Sequence, residues 1–301
     1  MIIVRIKGGL GNQLFQYATA RNISINKQVP LKVDTSFFND SRYEGIFRLN
    51  QYNIQIEEAK KDEVILLTTE PSASFYSWVY RKLRIQGKYY KKTHIIENSH
   101  SIFDKRIINC TGIAYIEGWC QNEDYFSSIR DILIKEFTLK NIANIESECI
   151  KKDIDSCESV SIHFRRGEYL NNKFFGVVPL NYYYQAVNYI NKMVKHPEYF
   201  VFSDDIEWVK NNFKIDGTIH YLSPQNERAS IHHTENDFKD LELMKYCKHN
   251  IIANSSFSWW AAWLNTNPDK IVIAPKRWYD DPIAQKYFEK GRLKVSDWNY
   301  I

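Results

Sequence analysis

The sequence predicts an α/β protein built around parallel β-sheets with helices on both faces. From residue 159 onward, short apolar strands alternate with helical segments, which is the pattern of a parallel sheet. The chain also opens with a buried strand, a glycine-rich loop and a helix, a unit of the same kind. Its composition, 44% apolar and 25% charged over 301 residues, is that of a globular protein with about two domains.

The first part of the chain gives fewer elements than the second. We predict strands over 2–6, 29–33 and 114–117, and a helix over 125–137. A polar stretch at 139–159 then predicts an interdomain helix or linker. We therefore expect one domain over 1–155 and a second over 156–301.

The second part of the chain is regular. Predicted strands cover 159–164, 199–203, 218–222, 250–253 and 270–274, and predicted helices cover 180–194, 206–213, 238–246 and 257–264. In such sheets, ligands bind outside the carboxyl ends of the strands. Functional residues are therefore expected where these strands end.

Charge and cysteine content exclude several classes of protein. The net charge is only +4, from 40 Lys and Arg against 36 Asp and Glu, which argues against a nucleic-acid binder. The five cysteines are an odd number without a C-x-x-C pair, so neither a disulfide framework nor a thiolate zinc site is indicated. Reduced thiols, no signal-peptide core and no apolar run of about 20 residues predict a cytoplasmic protein.

Two adjacent arginines end the first strand of the regular part. Val160, Ile162 and Phe164 alternate with polar residues that include His163, and the strand runs into Arg165 and Arg166. Guanidinium groups bind phosphate oxygens through two parallel hydrogen bonds and stay charged when desolvated. The pair therefore predicts a phosphate site, and the alternative is an ion pair at a strand end.

Ser203, Asp204 and Asp205 end the next strand. The two carboxylates could bind sugar hydroxyls, orient an arginine or hold a metal, and we also expect at least one of them to cap the helix that follows. A metal is the weaker interpretation, because the sequence's D-x-D motif, Asp153 to Asp155, lies in the polar stretch. There it predicts a solvated helix face.

A third strand ends in a segment that suits an anion. Free backbone N–H groups and hydroxyls at a helix N-terminus favour a diphosphate. The residues concerned are Asn254, Ser255, Ser256 and Phe257. Ordinary capping by one of the serines is the alternative, and the two interpretations are compatible. The tryptophans that follow are predicted to pack in the core: Trp259, Trp260 and Trp263.

The N-terminal glycine loop is a weaker candidate. Gly8, Gly9 and Gly11 let the backbone approach a ligand closely, and Asn12 and Gln13 could then contact a sugar or phosphate. The loop is not a P-loop, because no G-K-[ST] follows it. A tight turn between strand and helix is the alternative.

Taken together, these segments resemble the bacterial α-1,2-fucosyltransferases of glycosyltransferase family 11. The motifs that carry the resemblance are GGLGNQLFQYA at 8–18, EGWCQNEDYF at 117–126, SIHFRRGEY at 161–169, VFSDDIEW at 201–208, DLELMKYCKHNIIANSSFSWWAAWLN at 240–265 and IVIAPKRWYDD at 271–281. The resemblance implies a GT-B architecture, with two Rossmann-like domains facing across a cleft. It also implies GDP-β-L-fucose as donor, a galactose 2-hydroxyl as acceptor, and inversion at the anomeric carbon without a metal or other cofactor.

The same resemblance implies roles for individual residues. Arg165 would hold the diphosphate, His163 and Arg166 would line its pocket, and the 255–257 segment would form the phosphate cradle. Asp240 would face the guanine edge, and Asn12 would face the reaction centre from the other domain. Glu168 departs from the family pattern, which has Asp there, so its role as a catalytic residue is in doubt.

General chemistry is consistent with that mechanism. Cleavage of the sugar–phosphate bond builds negative charge on GDP, which a fixed guanidinium and a helix N-terminus stabilise. A general base could assist the acceptor hydroxyl. Glu168, Asp204 and Glu117 are the candidates, and the sequence does not rank them.

The resemblance also implies partners and a location. We expect residues 1–155 to bind a galactose-terminated or lipid-linked glycan in surface-glycan or O-antigen synthesis, and 156–301 to bind the donor. The basic, aromatic segment 76–92 is either a solvated helix face or a contact with the inner face of the membrane. The functional alternatives are a non-catalytic GDP-sugar or glycan-binding protein, and a fucosyltransferase acting on another acceptor such as a protein hydroxyl.

Overall fold

The computed structural model describes residues 1–39, 45–68, 92–98, 102–140, 145–222 and 237–301. The segment 76–92, for which we expect either a solvated face or membrane contact, lies outside the described residues except for Lys92. No helix within the described ranges is long and apolar enough to cross a bilayer.

A parallel four-stranded sheet forms the first half of the molecule. Its strands are β1 (Ile2–Arg5), β2 (Leu31–Asp34), β3 (His94–Ile96) and β4 (Ala114–Glu117), in the order β2-β1-β4-β3. Ile2 pairs with both Leu31 and Ala114, so β1 is central. The short apolar runs predicted at these places form β1, β2 and β4, whereas β3 was not predicted.

The second half contains a parallel six-stranded sheet. Its strands are β5 (Glu158–Phe164), β6 (Pro197–Ser203), β7 (Ile219–Leu222), β8 (His249–Ile251), β9 (Val272–Ala274) and β10 (Asn299–Tyr300). The order β10-β9-β8-β5-β6-β7 is that of a doubly wound Rossmann sheet. The strand order reverses between β5 and β8, and ligands bind at such a switch point.

Helices connect the strands of both sheets. They are α1 (Leu10–Lys27), α2 (Lys61–Thr68), α3 (Lys105–Ile108), α4 (Arg130–Glu136), α5 (Ile145–Ser156), α6 (Leu180–Met193), α7 (Ile206–Asn212), α8 (Asp237–Tyr246), α9 (Ser256–Leu264) and α10 (Pro282–Glu289). The polar stretch forms α5, on which Asp153 and Asp155 are exposed as predicted. The helix predicted over 125–137 is shorter, because two 3-10 turns precede α4.

Helix α9 joins the two halves through a shared aromatic core. Trp259, Trp260 and Trp263 are buried, which confirms the packing prediction. Trp259 and Trp260 lie 4.6 and 4.9 Å from the Phe15 ring of α1, and Trp260 stacks on Phe126 at 5.1 Å. The side chains of the second half thus complete the core of the first.

Gly11 lets α1 and α9 touch through their backbones. A Cβ at this position would lie 2.5 Å from the carbonyl carbon of Ser256 and 2.6 Å from the nitrogen of Phe257. Real Cβ atoms do not approach so closely, so only glycine fits here. The contact places Asn12, the next residue of α1, beside the first turn of α9.

Candidate active site

Arg165 lies at the switch point, directly after β5. Its guanidinium pairs with Asp204 at 3.0 Å and donates to Glu168 at 2.9 Å, and it lies over the Tyr169 ring at 5.4 Å. The side chain is still 21% exposed. The predicted ion pair therefore exists, and it holds a partly accessible guanidinium at the expected edge of the sheet.

Arg166 takes a different direction. Its Nε donates to Asp205 at 3.0 Å, and its guanidinium lies 3.2 Å from the centre of the Trp208 ring on α7. Its backbone N–H donates to Asp204 at 2.8 Å. Arg166 therefore lies on the β6 side of β5, away from the segment that follows β8.

The two aspartates after β6 orient these arginines, which was one of the interpretations left open. The prediction that one of them caps the next helix is wrong. Asp205 occupies the N-cap position of α7 without a side-chain cap bond, because its carboxylate pairs with Arg166. Ser203 instead supports this turn, since its hydroxyl accepts a hydrogen bond from the Asp205 N–H at 2.9 Å.

The segment after β8 forms the start of α9. Ser255 is the N-cap, and its hydroxyl accepts a hydrogen bond from the Phe257 N–H at 3.3 Å. The Ser256 hydroxyl donates to Asn12 Oδ1 at 3.2 Å, and the Phe257 ring lies 5.4 Å from the His163 ring. This segment, which we call the cradle (residues 255–257), therefore contacts both α1 and β5.

Asn254 supports the cradle from below. Its amide nitrogen donates to three backbone carbonyls, those of Phe175, Gly176 and Trp278. The residue is buried, and its Oδ1 has no hydrogen-bond partner among the described residues. Asn254 thus fixes two loops beside the switch point.

His163 is a neutral imidazole buried behind the arginines. Burial, together with the positive charge of Arg165, lowers its pKa to about 3. Its Nδ1 is buried without a hydrogen-bond partner among the described residues. His163 therefore adds no positive charge to the phosphate site near neutral pH.

Asp240 lies on α8, one turn from Asp237. Burial of the Asp240 carboxylate and, to a lesser extent, the negative charge of the nearby Asp237 raise its pKa to about 7. Asp237 itself pairs with Arg48 at 3.0 Å, and the charge of Arg165 also acts on it. The N-terminus of α8 is therefore electrostatically coupled to the arginine site.

The candidate bases are all paired with cations. Glu168 and Asp204 both bind Arg165. Glu117, at the end of β4, has a pKa lowered to about 2 by a hydrogen bond with His94 and by Arg5 and Lys7. A carboxylate with so low a pKa is a weak base, so Glu117 is the least suited of the three.

Asn12 and Gln13 have separate roles. Asn12 Oδ1 accepts hydrogen bonds from Gln121 at 2.8 Å and from Ser256. Gln13 is fully buried, and its amide binds the backbone of Gly8, Ile46 and Arg48. The suggestion that Gln13 contacts a ligand is therefore wrong, because its polar atoms hold the glycine loop together.

A cavity of about 420 Å³ opens beside the cradle and takes its lining from both halves. Asn12, Trp119 and Gln121 line it from the first half. The second half supplies Tyr169, Phe174, Phe175, Asn254, Ser256, Trp278, Tyr279, Asp281, Ile283, Ala284, Tyr287 and Arg292. We call the aromatic residues of 169–175 and 278–287 that line this cavity the aromatic wall. The sequence did not predict that these residues form one surface.

The model of the family described as Glycosyl transferase family 11 matches residues 1–301 of this chain. The chain belongs to this family. An Escherichia coli O-antigen biosynthesis glycosyltransferase, WbnK, is 33% identical over 97% of this chain and 98% of its own length. An E. coli α-1,2-colitosyltransferase is 31% identical over 95% and 98%. The mouse galactoside 2-α-L-fucosyltransferase Sec1 is 23% identical over 91% and 67%.

Solved fucosyltransferases have the same fold as this family 11 glycosyltransferase. NodZ α-1,6-fucosyltransferase soaked with GDP-fucose superposes with a TM-score of 0.52 at 14% identity, covering 87% of this chain and 92% of NodZ. POFUT1 in complex with GDP-fucose gives 0.50 at 11% identity over 91% and 97%. The predicted GT-B architecture of two Rossmann-like domains is confirmed, whereas the boundary at residue 155 stays a prediction.

Proposed function

We propose that the protein is an inverting galactoside α-1,2-fucosyltransferase, which moves L-fucose from GDP-β-L-fucose to the 2-hydroxyl of a terminal β-galactose. The observation that carries this proposal is that Arg165, after β5, and the cradle, after the neighbouring strand β8, lie at the same edge of the sheet at its switch point. Relatives named as galactoside 2-α-L-fucosyltransferase and O-antigen glycosyltransferase support the acceptor class. The names of two structural neighbours include GDP-fucose, which agrees with the proposed donor.

Transfer of colitose is the second candidate, because one relative is named an α-1,2-colitosyltransferase. Colitose is fucose without the 3-hydroxyl group, and its transfer from GDP-colitose also releases GDP as the leaving group. The phosphate site would serve both donors equally. A group that hydrogen-bonds the 3-hydroxyl would favour fucose strongly, since loss of a buried hydrogen-bond partner is costly.

The chain's own groups suffice for the proposed reaction. The acceptor oxygen attacks the anomeric carbon from the face opposite GDP, a new C–O bond forms, and the bond from that carbon to the phosphate oxygen breaks. The electron pair stays on GDP, where Arg165 and the N–H groups of the cradle stabilise it. The acceptor proton goes to a carboxylate or to water.

Asp204 and Glu168 would keep the guanidinium of Arg165 aimed at the leaving group. Their bonds fix its plane before the donor arrives, so little reorganisation is needed as charge develops. His163 stays neutral behind it, so the positive charge is concentrated on the exposed arginine.

We propose that no divalent metal takes part. Within the described ranges, no three His, Cys, Asp or Glu side chains come together as a metal site would require. Activity should persist after dialysis against EDTA. Complete loss that Mn²⁺ restores would refute this part of the proposal.

A donor and acceptor panel tests the main proposal. Purified protein is incubated with GDP-fucose, GDP-colitose, GDP-mannose or UDP-galactose and with lactose, maltose or an acceptor peptide. We expect transfer from GDP-fucose to lactose, with an α-1,2 linkage seen by NMR of the product. Preference for GDP-colitose would establish the second candidate, and transfer to the peptide alone would establish a protein acceptor. Binding of GDP-fucose without any product would indicate a non-catalytic protein.

A cytoplasmic location is part of the proposal, since the donor nucleotide is a cytoplasmic metabolite class and the cysteines are free. Cell fractionation tests it. Recovery of the tagged protein outside the cytoplasmic and inner-membrane fractions would contradict it.

A further inference from the structure

The cavity beside the cradle has the chemistry of a sugar site. We infer that it holds the terminal galactoside of the acceptor, which rests on the proposed function for the identity of that sugar. Its volume of about 420 Å³ falls within the range of roughly 300–1,000 Å³ for small-molecule sites. Seven of its fifteen lining residues are aromatic and six are polar, a mixture of apolar and hydrogen-bonding groups that suits a sugar.

The aromatic wall is continuous with the arginine site. The Tyr169 ring, which lies under the Arg165 guanidinium, stacks on Phe175 at 4.7 Å and 10°. Phe174 and Phe175 then contact Tyr279 at 5.3 and 5.9 Å. A galactose ring has one face of C–H groups at carbons 3, 4 and 5, and such a face packs on aromatic rings. The wall therefore leads from the leaving-group site to a surface that suits galactose.

The wall is held in place before any ligand binds. Backbone N–H groups of Asp280 and Asp281 donate to Phe174 O at 3.0 and 3.1 Å, and Asn254 ties the same loop to Trp278. Gly176 has a φ of +66°, and a Cβ there would lie 2.2 Å from the Asp280 carboxylate. These contacts fix the rings, which reduces the entropy cost of binding.

Polar groups line the cavity beside the aromatic rings. Asn12 and Ser256 form the part that meets the cradle, so a sugar hydroxyl there is next to the departing phosphate. Gln121, whose amide donates to Asn12 Oδ1, and Arg292 also line the cavity, and Asp281 lines it while capping α10 through its Oδ1. These groups can hydrogen-bond the hydroxyls of a sugar, and those at the cradle would hold one hydroxyl at the reaction centre.

The cavity meets the leaving-group site at one wall, because Ser256 of the cradle and Tyr169, which lies under the Arg165 guanidinium, both line it. Most of the remaining lining comes from the loops after β4, β5 and β9 and from α10. An acceptor there would therefore lie next to the phosphate groups of a donor bound at the switch point. From the sequence we expect residues 1–155 to bind the acceptor; this assignment gives most of the acceptor site to residues 169–292, with Asn12, Trp119 and Gln121 lining it from the first half.

The test uses two variants at the exposed mouth of the cavity. Phe174 is 46% exposed and Ile283 is 61% exposed, so Phe174→Ala and Ile283→Trp should leave the fold intact while removing a ring or narrowing the mouth. Leu170→Ala is the matched control, because Leu170 is 52% exposed nearby and does not line the cavity.

We expect each cavity variant to raise the KM for lactose at least tenfold and to change the Kd for GDP less than twofold. Saturation-transfer NMR should show lactose, and not maltose, binding to the wild type and weakened in both variants but not in the control. A rise in the GDP Kd with unchanged lactose binding would overturn the inference and make the cavity a nucleotide site. Unchanged values for both ligands would overturn it as well.

The two proposals fail in different ways. If the wild type binds lactose in this cavity but transfers no fucose, the proposed function fails and the cavity assignment stands. If the wild type forms the fucosylated product and the cavity variants keep a normal KM for lactose, the assignment fails and the function stands.

Discussion

Replacing Gly11 with alanine tests whether the contact between α1 and α9 organises the site. An added Cβ would lie 2.5 Å from the Ser256 carbonyl carbon, whereas carbon atoms normally pack at about 3.5–4.0 Å. Both neighbours are backbone atoms, so neither can rotate away. The two helices would have to separate by about 1 Å.

The sign of the change in the free energy of unfolding shows whether the backbone contact between α1 and α9 exists at Gly11. Without the contact, alanine in place of glycine in a helix stabilises by up to about 1 kcal/mol. With it, overpacking costs about 1–3 kcal/mol, and the rigid neighbours favour the upper end. Each kcal/mol lost lowers the Tm by about 2 °C in a chain of 301 residues, since the shift is about 2–4 °C for 150–250 residues and decreases with length. Since Asn12 and Ser256 would move apart, kcat/KM for transfer should fall about 10²-fold.

Thermal unfolding and steady-state kinetics of Gly11→Ala measure both effects. Gly45→Ala is the matched control, because its nearest neighbours are side-chain atoms of Phe38 at 3.4 Å. We expect the control to behave like the wild type. An unchanged or higher Tm with normal kcat/KM in Gly11→Ala would refute the reasoning.

Further predictions concern the charged groups of the site. Arg165→Ala should lower kcat about 10²–10³-fold and weaken GDP binding, and Arg165→Lys should restore little because lysine lacks the planar fork; near-normal turnover in either variant would contradict this. Folding lowers the pKa of His163 from 6.5 to about 3. The buried neutral imidazole therefore costs no stability above pH 6.5, and the free energy of unfolding decreases as the pH falls from 6.5 towards 3, because the unfolded state takes up the proton first. Urea titrations should therefore show a weaker acid dependence in His163→Phe, and an unchanged dependence would argue against a buried neutral imidazole. Asp240, with a pKa of about 7, would bind the guanine N–H groups as a carboxylate. The affinity for GDP, measured by calorimetry, should therefore increase from pH 6 to pH 8 in the wild type, and it should not change over this range in Asp240→Asn.

The second sheet and the residues at the carboxyl ends of its strands could be predicted because local patterns decide them. Strand alternation in 159–164 and the arginines after it depend only on neighbours in sequence, and the parallel-sheet rule then places Arg165 beside the cradle. The prediction that the tryptophans of α9 pack in the core is confirmed, because the helix that carries them is mostly apolar.

Tertiary competition explains what could not be predicted. The position of Asp205 before a helix predicts an N-cap. In the structure its carboxylate pairs instead with the guanidinium of Arg166, which the neighbouring strand brings close. The glycine-rich sequence around Gln13 predicts an accessible loop residue. In the structure the Gln13 amide instead hydrogen-bonds the backbone of Ile46 and Arg48, which covers it. The low pKa of Glu117 depends on a hydrogen bond with His94 and on the charge of Arg5, which is more than a hundred residues away.

The aromatic cavity was missed for a different reason. Its rings lie in loops at 169–175 and 278–279 and on α10, where no hydrophobic period marks them as one surface. Hydrogen bonds from the buried amide of Asn254, and backbone bonds from Asp280 and Asp281 to Phe174, bring the two loops together. Such a surface becomes visible only when the positions of the loops are known.

The shared aromatic core restricts how this enzyme can be recombined with its relatives. Trp260 stacks on Phe126 and also contacts Phe137 at 5.4 Å, so α9 is part of the interior of the first half. A chimera that exchanges halves at the linker would leave these tryptophans against foreign partners. Grafts between relatives should therefore transplant α1 and α9 together, or confine themselves to the loop that carries Phe174 and to α10, which carries Ile283.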